Sequence, residues 1–233
     1  MKNIITIILF FFSFNIYSQQ MGFQVVYVEA EENSQDNITE ILDEFYKNNK
    51  LKTNGALALE RLRLGRPEGT THRIVFLWEL GNRGFEEGEV TQDENRAFWS
   101  SLIRRIDSWA WDQSYAGRFL NFIEGDVEKY PYAQIWDIKP ENPENFKNAQ
   151  MDLVESLPEV FKDRFVGFGT YDVNRPDGAT HWALVTGKDL DDHLKFANDL
   201  QTKYTKVFNK YLEDRGSVEL VHNFTFENLR FYK

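Results

Sequence analysis

The chain has no cysteine. That excludes disulfide staples, a lipid-modified cysteine and any thiolate chemistry, nucleophilic or metal-binding. Histidine is scarce as well, with only 4 in 233 residues. No His-x-x-x-His pair, acidic calcium loop, Gly-x-Ser-x-Gly elbow or phosphate loop occurs. The spacing signatures of zinc, calcium, serine-hydrolase and nucleotide sites are therefore missing, and no cofactor is named by the sequence. Positive charge is in deficit, with 27 Lys and Arg against 37 Asp and Glu. A net charge of −10 without a basic run suits neither nucleic acid nor an anionic lipid surface.

Long apolar runs are confined to the beginning. Lys2 precedes Ile4–Phe12, which is apolar apart from Thr6, and Ser13–Gln20 forms a short polar exit. The run is short for a bilayer span, so residues 1–19 read as a signal peptide cut near Ser18–Gln20, with an uncleaved anchor as the alternative. This predicts export to the periplasm or exterior, with no membrane contact after cleavage. An exported chain without disulfides depends on its apolar cores. Twenty Phe, ten Tyr and six Trp are available for them. The same aromatics could line a ligand pocket.

What the chain does contain is a repeat. Arg66-Pro67-Glu68-Gly69-Thr70-Thr71-His72 returns as Arg175-Pro176-Asp177-Gly178-Ala179-Thr180-His181, 109 residues later. At the same offset Phe23–Val28 aligns with Tyr132–Asp137, and Phe119–Phe122 with Asn228–Phe231, without a gap. Two copies follow, over about 22–130 and 131–233, and a unit of that size is a small domain rather than a solenoid repeat.

Each copy reads β-α-β-β-α-β. In the first, Phe23–Ala30 is a strand. Asn37 and Glu40 suggest a capping box, and Ile38, Ile41, Leu42 and Phe45 share one helical face. Gly55 restarts an extended run to about Leu64, the Pro and Gly of the motif give a turn, and His72–Leu80 is the third strand. Thr91 and Glu94 form a second capping box, opening a helix with Phe98, Leu102, Ile106 and Trp109 on one side; Arg118–Ile123 closes the copy. In the second, Pro131–Ile138 is a strand, and Asn142 with Pro143 starts a helix buried through Phe146, Ala149, Leu153 and Leu157. Val166–Val173 and Thr180–Thr186 flank the turn. Leu190, Leu194, Ala197, Tyr204 and Tyr211 mark one long helix, and Val218–Phe231 ends the chain. One such unit covers a single sheet face with helices. Packing the two sheets together buries the other.

This arrangement resembles the dimeric α+β barrel superfamily in a fused, tandem form. That group includes antibiotic-biosynthesis-type monooxygenases, haem-degrading enzymes, chlorite dismutase-like proteins and stress-responsive barrel proteins. The resemblance covers nearly all of the chain after the signal peptide, and it implies an α+β fold of two tandem ferredoxin-like repeats closed into a pseudo-dimeric barrel. Haem-degrading members use an Asn on the first strand, a Trp after the third and a His on the second helix. Gln24 or Gln134 stands near the first of these positions. The first copy has Trp78 near the strand end but Gly84 where the second has His193. The second has His193 but Gly187 in place of the Trp. Neither copy carries the full set.

The candidate catalytic residues are His72 and His181, equivalent through the repeat and able as neutral imidazoles to act as base or ligand. The structural alternative is that each closes its hairpin with the neighbouring Thr. Arg66 and Arg175 are candidate anion contacts, or salt-bridge partners of nearby carboxylates. Trp78 and Trp182 are candidate aromatic contacts for a ligand, and Trp111 and Tyr115 are candidates for stacking. Asn82–Glu89, where the copies differ most, is a candidate lid or a surface loop. His193 and His222 lack counterparts, with Gly84 and Gln113 in their places. The function expected first is binding of a small ligand, by a monomer with an internal pseudo-dimer or by a homodimer. A cofactor-independent monooxygenase-like enzyme and a protein-interaction module are the alternatives.

Overall fold

The apolar alternation along the strands closes on itself. In a computed structural model that describes residues 21–233, eight antiparallel strands form a closed barrel in the order β1-β3-β2-β8-β5-β7-β6-β4. Residues 1–19, read above as a signal peptide, lie outside the described residues. The strands are β1 Met21–Ala30, β2 Ala56–Leu62, β3 His72–Glu79, β4 Ile106–Ile123, β5 Tyr132–Pro140, β6 Val166–Val173, β7 His181–Gly187 and β8 Val218–Tyr232. Helices α1 Gln35–Asn48 and α2 Gln92–Ile103 cover the outside of β1 to β3. Helices α3 Pro143–Ser156, α4 Pro158–Phe161, α5 Leu190–Thr202 and α6 Thr205–Asp214 belong to the second half, whose own core they share with β6 and β7.

Successive strand residues face opposite sides. On β1, Phe23, Val25 and Tyr27 join the cluster inside the barrel, whereas Val26 and Val28 join the cluster beneath α1 and α2. On β2, Ala58 and Leu62 face in, and Leu57 and Leu59 face Ile38 and Leu42 of α1. The outer cores hold the layers together: each fully buried Leu or Ile contributes about 1.5–3 kcal/mol. The long strands β4 and β8 join the two halves, β4 pairing with β1 and β6, and β8 with β5 and β2.

Two expected helix starts are present. Thr91 and Glu94 form the full capping box, and Asn142 accepts from the backbone N–H groups of Glu144 and Asn145 with Pro143 in the first turn. Other expectations need correction. α1 starts at Gln35 after Ser34, so Asn37 lies within its first turn and caps nothing. α2 ends at Ile103, and Ile106 and Trp109 belong to β4, which starts twelve residues earlier than expected. The single final helix is two, broken between Thr202 and Thr205.

The gapless alignment also fails in β1. Val28 pairs with His72 and Ile138 with His181, so the first strands correspond at an offset of 110 (138 − 28) and the third strands at 109 (181 − 72). A one-residue slip would turn every inward side chain of the strand outward. With the gap, Phe23, Val25 and Tyr27 correspond to Ala133, Ile135 and Asp137, and both sets face the interior.

Candidate functional site

The barrel is hollow at one end. A cavity of about 720 Å³ lies within it, walled by apolar side chains that include Phe23, Val75, Leu77, Ile135, Phe226 and Trp182. Ala58 and Ala133 contribute almost no bulk to this wall. The mouth lies between Lys52–Gly55, the segment Glu124–Glu128 after β4, and Lys233. Leu62, Ala179, Val221 and Phe224 pack the opposite end.

The inner end of the cavity is polar. Glu60 of β2 and Arg73 of β3 are cross-strand neighbours, 8% and 3% exposed, and Arg73 Nε donates to Glu60 Oε2. Burial pushes the Glu60 carboxyl up while Arg73 pulls against it; Glu60 in turn holds Arg73 charged. The Arg73 guanidinium lies 3.9 Å from the centre of the Phe226 ring, and its Nη1 is 3.5 Å from the Tyr115 hydroxyl. Tyr115 and Tyr27 hydroxyls are 3.1 Å apart. The Tyr115 and Tyr171 rings meet edge to face at 4.6 Å, and Tyr171 donates to Asp137 Oδ1 at 2.5 Å. Asp137 Oδ2 lies 3.7 Å from His222 Nδ1. Burial raises the phenols of Tyr27, Tyr115 and Tyr171, keeping all three protonated near neutral pH.

The two halves differ at this level. The place of the Glu60–Arg73 pair is taken by Gly169 and Trp182, themselves cross-strand partners. A Cβ at Gly169 would lie 2.5 Å from the Trp182 ring and 2.2 Å from the Arg118 carbonyl oxygen. Gly169 therefore leaves the space the indole occupies. The Trp182 indole N–H is buried and finds no acceptor among the described residues.

Of the residues singled out from the sequence, Trp182 and Tyr115 line the cavity. His72, His181, Arg66, Arg175 and Trp78 do not. His72 is fully buried, on the outer face of β3 that also carries Ile74. Its Nδ1 lies 2.9 Å from the Thr71 hydroxyl, which takes the Ala30 N–H. Burial, reinforced by Arg61, Arg63 and Arg66, lowers its pKa to about 4. His181 repeats the arrangement, with Nδ1 2.8 Å from the Thr180 hydroxyl and its ring stacked on Phe168. Arg66 and Arg175 are exposed in the turns, where Gly69 and Gly178 take the positive φ expected of the motif glycine and Asp177 takes one as well. Trp78 lies outside the barrel beneath the guanidinium of Arg83. Trp111 is 61% exposed and stacks on Trp109, while Tyr115 is buried inside. The Asn82–Glu89 loop is pinned by Phe85 against Phe45 and Tyr46 and does not line the cavity.

His193 donates its Nε2–H to the Tyr132 carbonyl at 3.1 Å and is buried against that ring, away from the cavity. With that nitrogen committed to backbone, and no strand-end Trp in its half, the residues present do not fit a haem site of the expected kind. Among the described residues, no group of three or more His, Asp or Glu could hold a metal ion.

The sequence reading did not single out Glu60, Arg73, Tyr27, Tyr171 or Asp137. The available signal was a charge within an otherwise apolar strand: Arg73 shares its face with Val75 and Leu77, and Glu60 follows Ala56 and Ala58 on its own.

No family model matches the chain, and no curated protein matches it by sequence. Solved structures match its shape. A candidate monooxygenase from Lactobacillus acidophilus NCFM superposes with a TM-score of 0.60 at 9% identity, over 92% of this chain and 96% of that one. A candidate monooxygenase from Fusobacterium nucleatum gives 0.55 at 15% identity, over 94% and 96%. An anthrone oxidase-like protein gives 0.52 at 9% identity, over 91% and 92%. At these identities the likeness is one of architecture: the chain has a mixed α+β fold around an eight-stranded antiparallel barrel, as those proteins do.

Proposed function

We propose that this chain is an exported small-molecule-binding protein, in which two fused ferredoxin-like repeats, about 22–130 and 131–233, close a barrel whose interior holds the ligand. One observation carries the reading: one end of the barrel interior is a cavity of about 720 Å³ rather than packed core. Interiors are normally filled to crystal density, so a hollow of this size is maintained at a cost in stability. It falls within the range of small-ligand sites, roughly 300–1,000 Å³. An apolar wall with polar groups at its inner end suits a flat, largely apolar molecule carrying an oxygen at one end. Export rests on Lys2 and the Ile4–Phe12 run. A single chain completes the barrel, so a second copy is not needed to form the site.

The monooxygenase-like alternative takes modest support from the descriptions of the fold neighbours. It requires an acid–base group facing the cavity, and neither His72 nor His181 does so. Native mass spectrometry of the purified chain tests for a co-purified molecule, and a titration with 2-naphthol tests the site itself. The reading expects saturable 2-naphthol binding that Ala58→Trp abolishes while the fold is retained. Binding unaffected by that substitution would refute it.

A further inference from the structure

The polar groups at the inner end of the cavity continue past it. Glu60 and Arg73 neutralise one another, which leaves Asp137 as the carboxylate without a lysine or arginine partner in this layer. Asp137 is 1% exposed. An isolated buried carboxylate is costly, and two groups compensate it here: the Tyr171 hydroxyl on one oxygen at 2.5 Å and the His222 imidazole toward the other at 3.7 Å. Tyr171 lines the cavity. His222 sits on β8 with its side chain 34% exposed, at the end of the barrel away from the mouth. The three residues come from β6, β5 and β8, and together they lead from the ligand space to solvent on the far side. The first half lacks the same arrangement: Tyr27 takes the place of Asp137, and Tyr115 the place of Phe224 beside it.

We propose that Tyr171 is the proton-exchange group of this cavity and that Asp137 and His222 connect it to solvent, so that the ligand is a hydroxyaromatic or enol whose O–H docks against Tyr115 and Tyr171. The proposal rests on the cavity reading above. The step balances without a further reactant. The ligand O–H proton passes to the Tyr171 oxygen as the Tyr171 proton passes to Asp137. Asp137 hands it to the His222 Nδ1, and His222 releases its other N–H proton to water. The net change is a bound hydroxyl becoming a bound oxyanion plus one proton in solvent. Tyr115, in contact with Arg73, is placed to stabilise that oxyanion. A small rotation of the imidazole would bring the 3.7 Å step within hydrogen-bond reach. Histidine is the side chain whose ordinary pKa suits exchange with solvent near neutral pH. Of the four in the chain, His72, His181 and His193 all lie off the cavity and off this path.

The charged and titratable groups facing the path are Asp177 from the turn before β7, Tyr27 and Tyr115 beside Asp137, and Arg73 beyond Tyr115. Contact with Asp137 raises the His222 pKa, with Asp177 acting in the same direction and burial opposing both. The test has two arms. In ligand-free protein, NMR titration of the His222 imidazole should give a midpoint above the usual histidine value. Asp137→Asn should lower that midpoint, and Tyr171→Phe, which returns the second carboxylate oxygen to the pair, should raise it. A midpoint that moves in neither variant overturns the connection. In the second arm, bound 2-naphthol, whose absorption separates its neutral and anionic ground-state forms, should show the anionic form in wild type. Tyr171→Phe, titrated to saturation, should bind 2-naphthol more weakly and hold it in the neutral form. Equal anion absorption from both proteins overturns the role of Tyr171. Failure of 2-naphthol to bind wild type sinks the cavity reading instead, and the proposal with it.

Discussion

The Glu60–Arg73 pair gives the most demanding test of the barrel interior. Both side chains are almost fully removed from solvent, at 10% and 4% exposure, inside a wall that is otherwise apolar. Removing one partner of such a pair strands the other charge, and about 3–5 kcal/mol is the usual cost. Replacing both with apolar residues of similar volume is often neutral or stabilising. Arg73→Met and Glu60→Leu should therefore each destabilise by about 3–5 kcal/mol, while the double variant should lie within about 2 kcal/mol of wild type. Arg73→Met also loses the contact with Phe226, worth about 0.5–2 kcal/mol, and should be the costlier single change. Urea unfolding of the four proteins, compared through their midpoints at a common m-value, measures the coupling directly. Single variants costing less than about 1 kcal/mol each and adding simply would show a pair solvated by the cavity, and the reasoning would be wrong.

Three further outcomes follow from the same structure. His72 has a folded pKa of about 4 against about 6.5 when unfolded, so between these values only the unfolded chain takes up its proton. Its contribution, about 3 kcal/mol, should be complete above pH 6.5 and lost as pH falls towards 4; His181 and His193 act in the same direction and His222 in the opposite one. Comparing wild type with His72→Leu across that range isolates the term, and parallel stability curves would contradict it. Gly169→Ala should cost about 1–3 kcal/mol, and adding Trp182→Leu should recover only part, because the Arg118 carbonyl remains; full tolerance in a thermal melt would count against the packing described. Thr91→Ala should cost about 1 kcal/mol through loss of the α2 capping box, read by the same melt.

The parts of the fold that were legible in the sequence rest on local chemistry. The Phe23–Ala30 run, the Thr91–Glu94 box, Asn142 followed by Pro143, and the Arg-Pro-acid-Gly turns each announce their conformation within a few residues. What was misread depends on distant pairing. Phe98, Leu102, Ile106 and Trp109 continue a helical spacing, yet β1 claims the backbone from Ile106 onward, and Trp109 and Trp111 alternate on a strand. The slip in β1 was hidden because both faces of that strand are apolar, so a one-residue gap changes the facing without changing the pattern. The motif histidines drew attention because they repeat, and their geometry beside Thr71 and Thr180 repeats too. The polar layer carries no repeat signal, since the halves fill it differently. Tyr171 and Asp137 are 34 residues apart, and only barrel closure brings them together.

The central claim is that the ligand space lies inside the barrel and not beneath the helices, and the alternation of methyl groups along single strands decides it. Methyl-resolved NMR of the protein titrated with 2-naphthol separates Val25, Ala58, Val75 and Ile135, which face inward, from Val26, Leu57, Leu59 and Ile74, which face outward. Binding inside the barrel shifts the first set and leaves the second unmoved. Shifts confined to the second set would place binding between sheet and helices, on the side of His72, and would contradict it.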